Sequence, residues 1–171
     1  MVRADAQRNM DALLTAAMTV FTTSGVDAPA KEIADLAGVG VGTLYRHFPQ
    51  RSDLIVAVLR HEIDALAFQA TTLSVAEWFA AYVELLATKP GFAAALHSGD
   101  SAYEALPGYF HERLAPALQS LLDRAAPSVR PDVDAGDLLY AVALLCQPVA
   151  AKGRAYTDRM VGVLLDGIRE T

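Results

Sequence analysis

The sequence predicts an all-α protein: an N-terminal domain of three helices containing a helix-turn-helix, and a larger C-terminal helical domain. Three observations carry this. Apolar residues recur at spacings of three and four along most of the 171-residue chain, the period of a helix with one buried stripe. Residues 31–54, KEIADLAGVGVGTLYRHFPQRSDL, read as two short helices joined by a glycine turn, with the next helix starting at once. No alternating strand pattern and no internal repeat is visible.

A first helix is expected over about 5–24, where Met10, Leu13, Leu14, Ala17 and Phe21 form the stripe and Ser24-Gly25 ends it. A second runs over about 29–37 with Ile33, Ala34, Leu36 and Ala37. Pro29 suits its first turn, and Gly38 breaks it where a turn demands positive φ. A third covers 41–47, with Leu44 and Phe48 one turn apart on a buried face. Pro49 stops it, because the residue before a proline resists helical geometry. A fourth begins near Ser52, a candidate cap, with Asp53 favourable in its first turn. It carries Leu54, Ile55, Val58, Leu59, Ile63 and Leu66 to about residue 70. Domains are expected at 1–51 and 52–171. No Gly-, Pro- or Ser-rich linker separates them, so the fourth helix joins them mechanically.

A helix over 74–88 holds Trp78, Phe79, Tyr82, Leu85 and Leu86, and Lys89-Pro90-Gly91 ends it. A short helix at 92–96, a loop at 97–100 and a break at Pro107-Gly108 follow, then a helix to about Ala126. Pro127 and Pro131 bracket the next turn. Residues 134–147 are apolar almost all round, with Leu138, Leu139, Val142, Leu144 and Leu145, and need cover on several sides. The last helix, about 157–169, holds Met160, Val161, Val163, Leu164, Leu165 and Ile168, and Gly162 and Gly167 leave room for a close neighbour. Composition leaves open whether these two helices form an ordinary bundle core or meet a second subunit.

Hydrophobic content of 53% is high for a monomer and hints at an extra buried surface. No apolar run approaches the ~20 residues of a membrane span. The N-terminus lacks the apolar core of a secretory signal, and a single cysteine, Cys146, excludes an intramolecular disulfide framework. A cytoplasmic protein without a membrane partner is expected. The net charge of −6 argues against a nucleic-acid binder until it is divided. Residues 1–60 carry six Lys/Arg and six Asp/Glu, and the acidic excess lies wholly beyond them. Lys31, Arg46 and Arg51, with Arg3 and Arg8 on an N-terminal arm, are therefore expected to neutralise phosphates.

Successive helical residues turn by ~100°. With Leu44 and Phe48 inward, Gly42, Thr43 and Arg46 point outward, flanked by Tyr45 and His47. Such a face is odd as solvent covering but suits a DNA major groove. Glycine lets the backbone approach, the hydroxyls reach phosphates or base edges, the Thr methyl meets a thymine methyl, and Arg and His add positive charge.

These residues resemble the TetR-type regulators, the tetracycline-repressor family. The resemblance lies in Lys31-Glu32-Ile33-Ala34-Asp35-Leu36-Ala37-Gly38-Val39, Gly42-Thr43-Leu44-Tyr45-Arg46-His47-Phe48 and Arg51-Ser52-Asp53-Leu54, with Phe21 and Gly25-Val26 before them. It covers roughly residues 8–60. It implies a homodimeric, ligand-responsive repressor on a palindromic double-stranded DNA operator, with the recognition helix of each subunit in successive major grooves. Lys31, Tyr45, His47 and Arg51 would grip phosphates, and Val41, Gly42, Thr43 and Arg46 would meet bases. The resemblance also implies that the last two helices pair in a dimer and that the middle helices wall an effector cavity. Candidate lining residues there are Trp78, Phe79, Tyr82, Phe92, His97, Tyr103 and Phe110, with Tyr109 and His111 nearby, although an aromatic stripe is more often core. Three positions depart from the family pattern: Gly40 and Ala30 lack the hydroxyl common there, and Val41 is less polar.

Enzyme readings are weak, and no cofactor or metal is expected. His97, Ser98 and Asp100 lie close in sequence, but triads are spatial. His61-Glu62 has no second histidine at zinc spacing. No GxGxxG or phosphate loop is present. The alternatives are an all-helical enzyme or metal-binding protein with a degenerate DNA head (His97, His111 and Cys146 being the scattered ligands), and a helical adaptor that binds proteins.

Overall fold

A computed structural model describes residues 2–88, 101–147, 149 and 152–170. Among them the helices are α1 (Val2–Ser24), α2 (Ala30–Ala37), α3 (Val41–His47), α4 (Arg51–Gln69), α5 (Val75–Thr88), a 3-10 turn (Ser101–Tyr103), α6 (Leu106–Ala125), α7 (Ala135–Leu145) and α8 (Arg154–Gly167). One isolated antiparallel bridge joins Val129 to Arg169. None of the described helices is long and apolar enough to cross a membrane. The chain forms two compact units: among the described residues, 2–61 with 101–106 make the N-terminal unit, and 62–88 with those from 107 onward the C-terminal one.

The N-terminal unit buries the stripe read from the sequence except at Met10, which is half-buried. Leu13, Leu14, Ala17, Val20 and Phe21 of α1, Ile33 and Ala34 of α2, and Leu44 and Phe48 are all buried. Gly25 at φ 84° ends α1, and Gly38 at φ 70° ends α2. At Gly38 the amide of Val39 reaches Ala34 O at 3.0 Å and that of Gly38 reaches Asp35 O at 3.2 Å, the paired bonds of a Schellman ending. Ser24 Oγ donates to Glu32 Oε1 at 3.0 Å, fastening α1 to α2. Arg3 and Arg8 lie within α1 and not on a separate arm.

In the C-terminal unit Trp78, Phe79, Tyr82, Leu114, Leu118 and Val142 are wholly shielded. Arg124 Nη2 donates to Ala70 O and Leu73 O at 2.8 and 3.0 Å, tying α6 to the turn after α4. Asp64 accepts from Tyr109 Oη at 2.8 Å and from Arg113 Nε at 2.6 Å.

Some boundaries differ from expectation for identifiable reasons. The break placed at Pro107-Gly108 is the first turn of α6, where proline's missing N–H costs nothing because the first turn's amides have no intrahelical partner. The α4 helix starts at Arg51, so Ser52 sits inside its first turn, and Asp53 Oδ2 instead accepts from the Gln50 amide at 2.9 Å. The last helix starts earlier than expected, at Arg154, which pairs with Asp158 one turn on at 2.7 Å. The short helix and loop expected at 92–100 lie outside the described residues, and Phe92 and His97 with them.

Candidate nucleic-acid interface

Turn chemistry and two buried anchors present α3. The amides of Thr43 and Leu44 bond Gly40 O at 2.9 and 3.3 Å. Gly40 is extended and supplies no side-chain cap. Leu44 and Phe48 are buried, and the Phe48 amide closes the helix on Leu44 O at 2.8 Å. The opposite face is consequently open: Gly42, Tyr45, Arg46 and His47 are exposed, and Val41 and Thr43 are half-buried. Tyr45 is 52% exposed, so its ring and hydroxyl are open to a partner surface.

Lys31 on α2 is exposed and pairs with Asp35 at 2.6 Å. Exposed pairs one turn apart contribute only ~0.3–0.5 kcal/mol, so the ammonium is easily surrendered to a phosphate. Leu36 was grouped with the apolar residues of this helix, yet it is 56% exposed on the same unit. Leu36 lies only ~60° from Ile33 but ~160° from Ala34, the other buried residue of the helix. Arg51, expected at a phosphate, turns its guanidinium onto its own unit. Its Nε donates to Val26 O at 2.7 Å, its Nη2 donates to the same oxygen, and its guanidinium carbon sits 5.2 Å over the Phe21 ring.

The effector candidates divide. Trp78, Phe79 and Tyr82 are wholly buried and pack on one another, with Trp78–Phe79 centroids at 5.3 Å and Trp78–Tyr82 at 5.5 Å. Their polar tips are satisfied: Trp78 Nε1 donates to Leu66 O and Tyr82 Oη to Leu139 O, both at 2.9 Å. Burial holds the Tyr82 phenol well above its ordinary range. Phe110 is half-buried with its ring 5.8 Å from Tyr82, and Tyr103 is half-buried in the 3-10 turn. A groove of about 800 Å³ lies elsewhere in the C-terminal unit, between Val75, Ala76, Pro127, Val129 and Leu165, and none of the candidates lines it.

A second surface was legible only in outline. Tyr140 and Leu144, one turn apart on α7, are 61% and 71% exposed, and Val163 on α8 is 65% exposed. The apolar circumference of α7 is thus covered on one side alone. As for other chemistries, the described residues hold no cluster of three or more His, Cys, Asp or Glu. Cys146 is half-buried, and burial pushes its thiol up to about 11, so it keeps its proton at neutral pH.

Comparison with known proteins adds independent findings. Residues 13–58 match the family model of bacterial regulatory proteins, tetR family. Residues 72–170 match that of the C-terminal domain of SbtR-like transcriptional regulators. The TetR transcriptional regulator SCO0520 of Streptomyces coelicolor is 33% identical, over 94% of this chain and 98% of that one, with a TM-score of 0.70. The TetR-like regulator LfrR of Mycobacterium smegmatis, solved in complex with proflavine, is 25% identical over 98% and 99%, with a TM-score of 0.60. Among curated proteins, the HTH-type transcriptional regulator SAR0097 of Staphylococcus aureus is 39% identical over 67 residues. This match spans about a third (35%) of that relative's length.

Proposed function

The chain belongs to the TetR family of DNA-binding transcriptional regulators, and from that membership we propose that it is a homodimeric, ligand-responsive repressor of the cytoplasm that binds a palindromic operator. The observation that carries this is the exposed face of α3: Gly42, Tyr45, Arg46 and His47 project from a helix pinned underneath by Leu44 and Phe48. Tyr45, His47 and Lys31 grip phosphates. Gly42, Thr43, Val41 and Arg46 meet base edges. Residues 1–51 read DNA, and residues 52–171 bind the effector and dimerise.

Tyr140, Leu144 and Val163 support pairing through the last two helices, because these helices pack on one another and together present three large exposed apolar side chains that a second copy would cover. A two-fold dimer then sets the recognition helices about one DNA turn apart. The small molecule acts in the larger domain, where Phe110 is the accessible edge of the aromatic cluster. LfrR with proflavine is a precedent for such a ligand in a relative. Because α4 runs unbroken from Arg51 to Gln69, effector binding shifts it and changes the spacing of the two reading heads. A ligand can do so only by binding one spacing better. No catalytic role is assigned.

The test is a gel shift with the DNA upstream of the protein's own gene, at low and moderate salt. Wild-type protein should retard that fragment in preference to random DNA. Tyr45→Ala should weaken binding to all sequences, whereas Thr43→Ala should also blur preference at one base step. An intact dimer that binds at neither salt would overturn the reading and favour an adaptor that binds proteins.

A further inference from the structure

We propose that Arg51 is a positioning residue, which clamps the exit of the recognition helix to the loop after α1 and does not grip a phosphate. The proposal rests on the DNA-binding reading above but goes against its simplest extension, in which every cation near α3 neutralises the backbone. Three observations point the same way. The Nε/Nη2 edge of the guanidinium, one of the two edges that hold an oxyanion in a fork, is spent on the Val26 carbonyl. One face of the group lies against the buried Phe21 ring at 5.2 Å. The side chain is half-buried, whereas Arg46 and His47 are exposed.

The location gives the clamp its consequence. Arg51 opens α4 and follows Phe48, the residue that closes α3, by three positions. Buried Leu44 and Phe48 hold the inner face of α3. The Asp53 carboxylate holds the Gln50 amide at 2.9 Å, and the Arg51 fork ties the following residue to a loop 25 positions earlier. The direction in which the chain leaves α3 is thereby fixed at its C-terminal end. Lysine keeps the charge but has no planar fork, so charge and clamping can be separated by one substitution.

The experiment is a titration of operator DNA, taken from upstream of the protein's own gene, against salt. Wild type, Arg51→Lys, Arg51→Ala, Phe21→Leu and, as a phosphate or base-contact comparison, Arg46→Ala are each measured well below their thermal transitions. The proposal expects Arg51→Lys and Arg51→Ala to lose about tenfold in operator affinity, with the slope of log affinity against log salt equal to that of wild type. Arg46→Ala should flatten that slope. Wild-type affinity in Arg51→Lys, with a slope flattened by about one unit in Arg51→Ala, is the signature of a phosphate contact and overturns the proposal. If neither Arg51 variant folds, Phe21→Leu decides, since it leaves the cation in place. Weaker binding at unchanged slope supports the clamp, and unchanged binding overturns it. Wild-type protein that binds no DNA at low salt is a different failure, visible before any variant is made, and it removes the underlying reading together with this one.

Discussion

At Gly38 the backbone turns left-handed, with φ 70°, and the space around a hypothetical Cβ is empty to 4 Å. A substitution there is therefore a measurement of backbone conformation alone. Gly38→Ala should lower the stability of the N-terminal unit by about 1 kcal/mol, and Gly38→Asn by less, because asparagine tolerates that region. Urea titration with an unchanged m-value checks both, and equal costs would disprove the conformational account. Tyr82 is the corresponding residue of the C-terminal unit. Tyr82→Phe keeps the ring stack but removes the bond from the phenol to the Leu139 carbonyl at 2.9 Å, an oxygen that remains paired within α7. The expected loss is about 0.5–1.5 kcal/mol. A loss above that range, by the same titration, would mean that the ring stack itself has shifted.

Among elements, α5 has the most explicit start signal. Ser74-Val75-Ala76-Glu77 is a capping box: Glu77 Oε2 accepts from the Ser74 amide at 2.9 Å and from its hydroxyl at 2.6 Å, and the Glu77 amide reaches back to Ser74 Oγ at 3.3 Å. The Ser74 hydroxyl and amide hold the Glu77 carboxyl below its ordinary value. A lowered folded-state value means stabilisation that is complete above the ordinary glutamate range and is lost as pH falls through the lowered one. Wild type should thus exceed Glu77→Gln in thermal midpoint at neutral pH, and the gap should close on acidification below the ordinary glutamate range. A pH-independent gap would place the effect elsewhere. The helices of the turn motif differ from α5: neither Pro29 nor Gly40 gives a side-chain cap. Their placement depends on buried Ile33, Ala34, Leu44 and Phe48, so they are held by packing more than by local signals.

For the whole molecule the proposed dimer surface rests on three exposed apolar residues of the last two helices, Tyr140, Leu144 and Val163. A two-fold dimer gains its operator affinity by engaging two half-sites at once, and losing one linkage typically costs 10²–10⁴-fold in avidity. Leu144→Asp should yield a monomer by sedimentation and weaken operator binding by at least about a hundredfold. The N-terminal unit should keep its helicity, since Leu144 is 71% exposed and outside it. A dimer with undiminished DNA affinity would move the interface elsewhere.

The all-α class, the glycine turn, the limits of α3 and the two faces of that helix were all legible in the chain, because each depends on residues within a turn or two of one another. The start of α4 was legible to within a residue, but its cap was not: Ser52 is expected to cap, and it is Asp53 that holds the Gln50 amide. What remained hidden depends on residues far apart. Arg51 reads as one more surface cation until the fold brings Val26 to it from 25 positions away. Tyr82 reads as a pocket wall until the Leu139 carbonyl meets its hydroxyl across 57 positions. Local periodicity specifies which face of a helix is apolar. Only tertiary packing decides which polar tip is already satisfied, and therefore which residues are left to meet a partner.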